Sequence, residues 1–538
     1  MSQSHSSDNI APVPVIQVDE AVKEVPSGSS EEPSAIDKMR LKMRPLLLYV
    51  VSLAQFLDIV NGTSVSVALI PIAENLNFEA SQTLWIINAY TTAFAGFLLF
   101  SGRLGDLFGH RRLFMFGLFW FATWALVVSF SSSPVMLAIA RALQGVSAAS
   151  TVPTALALIS TNYPAGPERT KAISIFGAFG GMGAVAGLLM SGGILAAAGW
   201  RWVFRVSSIV AYILLILGFL TIPIIPAKNE AVKIDYVGAI TATLGVTGVV
   251  YYISIGVDYG WADSKTLPIL IIGLVLIAAF IYTESKVQSA LMPLRVWRNR
   301  AFSASTVLAF VSMAMAQGTM YNVNMVFQRI YRWNAIQTAL GFLVHALLAV
   351  VVFATLGRVL SRLRLKPLVL IGFLLRCATG LMFAFVSERC SYWRLPFPAL
   401  IIHIIGVGLT LLPIQVTVVR DADNRDQGLV GAIYNTSLQL GAPFGIAILN
   451  VVAISTTTNG YSIQSDSVDL MRGYRNAFFG IIALGLVGFV IALIFLPWDR
   501  SSRPSKESIQ ECEAVVDMEV DAAIATNTVK DAIINDSK

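Results

Sequence analysis

Charge is what this sequence has least of. Only 13% of its 538 residues are Asp, Glu, Lys or Arg, against about a quarter in soluble domains, which excludes an ordinary water-soluble protein. Cysteine is scarce too. Cys377 and Cys390 stand near one apolar run and Cys512 in the C-terminal tail, so neither a disulfide framework nor a zinc-ligand spacing is present, and no metal site is expected. The chain contains no His-Glu-x-x-His, no Gly-x-Ser-x-Gly and no Gly-x-x-x-x-Gly-Lys-Ser/Thr. The first two absences speak against a membrane-embedded enzyme, and the third against an ATP-driven pump. No cleaved signal peptide is expected, because a long polar leader precedes a first apolar run too long for one.

What is abundant is apolar length. Hydrophobic residues make up 56% of the chain, and runs of roughly 17–25 residues, enough to cross a hydrocarbon core, recur from Pro45 to Pro497. Fourteen can be counted, the first near 45–70 and the last near 475–497. The pattern predicts an all-α polytopic protein in a lipid bilayer, with polar tails at 1–44 and 498–538 that cannot bury enough apolar area to fold alone. Lys and Arg set the orientation: about 24 lie at one set of span ends and about 9 at the other, which puts both termini in the cytoplasm. The net charge of +6 is spread over these cytoplasmic ends, so no nucleic-acid partner is expected.

One connector repeats. Laying "GRLGDLFGHR" (102–111) over "GRVLSRLRLK" (357–366) matches Gly102 with Gly357, Arg103 with Arg358 and Arg111 with Lys366, 255 positions apart. If spans nine to fourteen repeat spans one to six, the chain divides into a six-helix half at 45–226, an inserted helix pair with linkers at 227–300, and a second six-helix half at 301–497. Paired six-helix halves are a transporter plan in which substrate binds between the halves near the bilayer midplane.

"GRLGDLFGHRR" resembles the signature loop of the major facilitator superfamily, and "RALQGVSAAS" from Arg141 resembles its fourth-span motif. "GWRWVF" at 199–204, "DYVGA" at the start of span seven and "ALMPLRVWRNRAF" at 290–302 are similar to the fourteen-span drug–proton antiporter family, and "YPAGPERTKAISIFGA" to its fungal aminotriazole-resistance-type branch. The resemblance implies the superfamily fold with fourteen transmembrane helices. It also implies a gate in which Gly102, Asp106, Gly109, Arg111 and Arg112 latch the halves, Asp106 facing the start of span thirteen near 427–428. Arg141 takes part in proton transfer in that family, and no cofactor is needed beyond a proton gradient. Gly102 and Gly109 suit tight turns and close helix approach.

Two departures matter. Aligning the first-span pattern of this family on Ala68 and Leu69 sets its aspartate at Asn61, which cannot titrate, while Asp58 lies one turn earlier on about the same face. In span five, Gly183-x-x-x-Gly187 has small-residue spacing for close helix packing, but Leu188 and Ser191 replace the Pro and Gly of the antiporter motif. "GMGAVA" at 181–186 fits Gly-x-Gly-x-x-Ala inside an apolar span with no strand–turn–helix unit, so no dinucleotide is expected.

Ionisable groups inside spans are costly and mark candidate sites. Asp58 and Arg141 are candidates for proton coupling. His345, Arg376 and His403 are candidates for a substrate cavity, together with Asn61, Gln144, Gln317, Tyr321, Asn322, Asn324, Gln415, Asn435 and Gln439. The expected function is proton-coupled export of drugs, toxic compounds or amphipathic metabolites by a monomer in a fungal plasma or vacuolar membrane. The alternatives are an uncoupled facilitator for a small polar solute such as ammonium or borate, and a non-transporting membrane sensor.

Overall fold

The computed structural model describes residues 35–79, 82–163, 167–223, 236–287, 292, 294–360, 363–420, 427–456 and 467–498. The expected tails lie mostly outside them, although α1 begins at Ala35, ten residues ahead of the expected span. Among the described residues the chain is helical with no strand, in fourteen long helices: α1 (Ala35–Asn75), α2 (Trp85–Phe108), α3 (His110–Ser129), α4 (Pro134–Asn162), α5 (Pro167–Ala198), α6 (Trp200–Thr221), α7 (Tyr236–Tyr259), α8 (Leu267–Lys286), α9 (Arg300–Met325), α10 (Ala335–Val359), α11 (Leu365–Ala384), α12 (Pro396–Arg420), α13 (Gln427–Ser455) and α14 (Ser467–Phe495). Thirteen of these are long and apolar enough to cross a membrane; α2 is not among the thirteen. In hydrocarbon only closed hydrogen-bonding structures survive, which is why apolar length becomes helix here.

Local signals set the helix ends. Ser133 accepts a hydrogen bond from the Met136 amide at 3.3 Å ahead of Pro134, and Asn334 and Gln337 form a capping box that starts α10. Single glycines at positive φ, Gly109 (90°) and Gly199 (82°), turn α2 into α3 and α5 into α6. Helices therefore alternate between a near face, where α1 begins, and a far face, where it ends.

Packing follows a doubled plan. In the first six helices α1 meets α5, α6 and α4, α4 meets α2 and α3, and α3 meets α6. Shifting each number by eight gives α9 with α13, α14 and α12, α12 with α10 and α11, and α11 with α14, all of which are observed. The two sets meet through α2 on α13 and α10 on α5, a pair that the same shift exchanges. Helices α7 and α8 pack on each other at Gly245 and Gly273, and α7 docks on α2, where a Cβ at Gly96 would lie 2.7 Å from Thr243.

The apolar core is continuous at one face and divided at the other. On the far side a single cluster joins Val65–Leu76 of α1 and Leu137 of α4 to Val323 of α9 and Ile446 of α13. On the near side the first six helices have a core of their own, around Leu47, Phe114, Leu158, Phe176 and Leu214.

Candidate functional site

Two glycine pairs bring the central helices into contact. A Cβ at Gly183 would lie 2.7 Å from the Phe56 carbonyl oxygen and one at Gly187 2.8 Å from that of Val60, so α5 touches α1 backbone to backbone. The sequence reading missed the counterpart, Gly441 and Gly445 on α13, whose Cβ positions fall on the Phe310 and Ala314 carbonyls of α9. The repeated Gly-x-x-x-Gly spacing was the available signal.

The polar stripes of these helices line a wedge between the two sets. On α9, Met313, Gln317 and Met320 are half-buried, and the same face continues to Asn324 and Gln328. Asn324 donates to the Ser66 carbonyl at 2.9 Å, and Gln328 donates to that of Val67 at 3.3 Å and to Asn324 Oδ1 at 2.9 Å. Asn324, expected in a cavity, thus ties α9 to α1. Asn88 of α2 donates to the Pro443 carbonyl of α13 at 3.5 Å. These three side-chain hydrogen bonds between the sets lie from midway to the far face. Nearer the other face Gly62 of α1 has open space beside it, Asn435 and Gln415 are exposed and Gln439 is half-buried. The wedge is closed at the far face and open towards the near one. Tyr321 and Asn322 are buried in α9, Asn322 donating to its own Gly318 carbonyl at 2.9 Å.

Beside the wedge, α1, α2 and α4 bury a connected polar group. Arg141, 1% exposed, donates from Nε to the Ile86 carbonyl at 3.1 Å and from Nη1 to Gln144 Oε1 at 2.7 Å. Gln144 in turn donates to Asn61 Oδ1 at 3.5 Å. The guanidinium lies 4.4 Å from the ring centroid of Tyr90, and the Tyr90 hydroxyl donates to Asp58 Oδ1. Asp58 and Arg141 are therefore linked through a tyrosine, hydroxyl to the carboxylate and π-face to the cation, a desolvated geometry worth about 2 kcal/mol. The arginine–glutamine–glycine motif has a physical meaning in this setting: Arg141 and Gln144 sit one turn apart, and a Cβ at Gly145 would run into the Tyr90 carbonyl, so only glycine lets α4 and α2 come this close. Tyr90 and Gly145 were not singled out from the sequence. Tyr90 carries no motif, whereas Gly145 was legible as the last residue of one.

The other candidates sit elsewhere. Arg376 is held inside the second set, donating from Nη1 to Ser312 Oγ at 2.7 Å and from Nη2 to the Ser312 carbonyl at 2.6 Å. His345 and His403 face each other across α10 and α12, ring centroids 5.4 Å apart. In the signature loop Gly109 makes the turn and Arg111 Nη2 donates to the Phe219 carbonyl of α6 at 3.1 Å, while Arg112 is exposed. Gly102 has open space beside it, and the close approach falls instead at Gly105, against His110. The side chain of Asp106, and those of 427–428 opposite which it was expected, lie outside the described residues. Among the described residues no group of three His, Cys, Asp or Glu could hold a metal ion.

The chain is 31% identical over 458 residues to the puromycin resistance protein pur8 of Streptomyces alboniger, covering 84% of this chain and 90% of that one. It is 28% identical over 497 residues to the multidrug transporter mfsC of Aspergillus fumigatus, covering 90% and 93%. Among solved structures it superposes on a bacterial homologue of the human lysosomal transporter Spinster with a TM-score of 0.61 at 13% identity, covering 84% of this chain and 98% of that one, a likeness of fold. The family model of the Major Facilitator Superfamily matches residues 51–446, and with the doubled helical plan around a central wedge this chain belongs to that superfamily of membrane transporters.

Proposed function

We propose that the protein is a proton-coupled exporter of amphipathic small molecules, working by alternating access between its two six-helix halves, 45–226 and 301–497, with the 227–300 pair docked at their seam. The observation that carries this reading is the buried Asp58–Tyr90–Arg141 link beside a wedge open on one side only. Asp58 is the one carboxylate buried in the middle of a described span, so it is the group able to take a proton in one state and release it in the other. Asn61, at the acid position of the family pattern, cannot titrate; it fixes Gln144, which receives Arg141. The near face carries the excess of Lys and Arg and is read as cytoplasmic, so the wedge loads from inside, and the names of the resistance and multidrug relatives agree with export. The 102–112 loop lies at this face, where the halves must close after loading. Mixed Met and Gln side chains along the wedge suit ligands of varied shape. We read the protein as a monomer of the plasma membrane.

The test is transport in proteoliposomes with puromycin as probe. A proton gradient should drive its accumulation, and adding puromycin should release protons at a rate that Asp58→Asn abolishes. Puromycin movement indifferent to the gradient would make the protein an uncoupled facilitator, and no movement of puromycin or a panel of amphipathic dyes would sink the transporter reading.

A further inference from the structure

The doubled plan sets residues of the two halves in register. Gly183 and Gly187 on Phe56 and Val60 correspond to Gly441 and Gly445 on Phe310 and Ala314, which places Asp58 opposite Ser312. A Cβ at Gly117 would meet Thr151 at 2.7 Å, and one at Gly372 would meet Thr410 at 2.7 Å, which places Gln144 opposite His403. The match of Gly102 with Gly357 places Tyr90 opposite His345. The proton-coupling group of the first half therefore has a counterpart in the second, built from different residues: Ser312, His345 and His403, with Arg376 bonded to the serine.

The charges of the two centres differ. Arg141 has Asp58 within one tyrosine of it. Arg376, 1% exposed, has hydroxyl and carbonyl partners but none of the described carboxylates. A buried cation without a counterion is costly. Two donor-capable atoms are also left over: Arg376 Nε and His403 Nδ1 have no hydrogen-bond partner, and His403 is as buried as the arginine. Their helices touch at this level: Gly406, one turn after His403, sits where a Cβ would lie 2.7 Å from Arg376 Cγ. His345 directs Nδ1 at the Leu400 carbonyl at 3.5 Å and is half-buried on the face of α10 opposite its exposed apolar stripe Ile336, Leu340, Leu347 and Val351. Its open edge therefore looks into the protein, not into lipid.

We propose that Arg376, His403 and His345 form an anion subsite in the second half, counterpart to the Asp58 centre. The proposal rests on the transporter reading for its purpose and on the unpaired cation for its chemistry. The anion is either an acid group on the transported solute or an inorganic halide taken from the cytosol. Both supply a negative, hydrogen-bond-accepting group for Arg376 Nε and His403.

Thermal unfolding of the purified full-length protein in detergent decides it, with sodium chloride or sodium benzoate replacing gluconate at constant ionic strength. A saturable rise in Tm with chloride assigns a halide, and a rise with benzoate alone assigns an organic acid group. In either case Arg376→Gln and His403→Ala should each weaken the response at least fivefold, and Arg376→Lys, which keeps the charge, should retain part of it. His403→Ala keeps the arginine and so covers the case in which Arg376→Gln does not fold. A wild-type protein without a saturable response, or variants that respond like wild type, overturns the subsite. Because this readout needs no transport, a protein that carries puromycin but lacks the response loses the subsite alone, and one that responds but carries nothing loses the transporter reading alone.

Discussion

Tyr90 joins two charges that never touch. Its hydroxyl serves Asp58 and its ring serves Arg141, so the two functions can be separated by substitution. Tyr90→Phe keeps the ring under the guanidinium and deletes the one donor to the carboxylate among the described residues. A hydrogen bond to a charged group contributes about 1.5–3 kcal/mol, so proton-driven transport should fall roughly tenfold or more while the protein keeps its melting temperature within a few degrees. Vesicle transport rates beside thermal unfolding would measure both, and an unchanged rate would remove Tyr90 from the coupling path. The role of Tyr90 was not legible in the sequence, where it is one of 15 tyrosines. Arg141 was, because an arginine within an apolar run is costly enough to need a reason.

At the scale of the helix, close contact depends on the missing side chain. Gly445 on α13 lies against the Ala314 backbone, and Gly187 on α5 against that of Val60. Gly445→Leu should therefore force the helices apart and cost about 1–3 kcal/mol or more, read as a lowered thermal midpoint in detergent. Gly193, in the same helix as Gly187 but with open space beside it, is the control: Gly193→Ala should be neutral or slightly stabilising through better helix propensity. Equal losses at the two sites would mean that backbone contact is not what Gly445 provides. The spacing Gly183-x-x-x-Gly187 was readable from the chain alone. Which backbone it meets was not, since any helix could have supplied one.

For the whole molecule, the far face holds the halves together through few polar bonds. Asn324 to the Ser66 carbonyl and Gln328 to that of Val67 join α9 to α1 where both are buried in one shared core. Side-chain bonds between membrane helices contribute about 1 kcal/mol, so Asn324→Ala should shift the balance between far-closed and far-open states roughly fivefold. Cysteine labelling from the far face at a wedge position such as Gly62 should speed up accordingly. Labelling no faster than in the parent would show that apolar packing alone keeps that face shut.

Helix number, the membrane environment, the near-face charge excess and the motif residues Arg141 and Gln144 are properties of the chain read in order. Lipid requires about twenty apolar residues per crossing and penalises each exception to that rule, so the order of residues reports them directly. The partners came only with packing. Tyr90 standing between Asp58 and Arg141, Asn324 tying α9 to α1, and Arg376 buried away from the described carboxylates all depend on which of fourteen similar helices lie side by side. Apolar faces pack on one another with little discrimination, and backbone contacts at glycine and hydrogen bonds to carbonyls, which leave no distinctive residue type in the sequence, choose among the pairings.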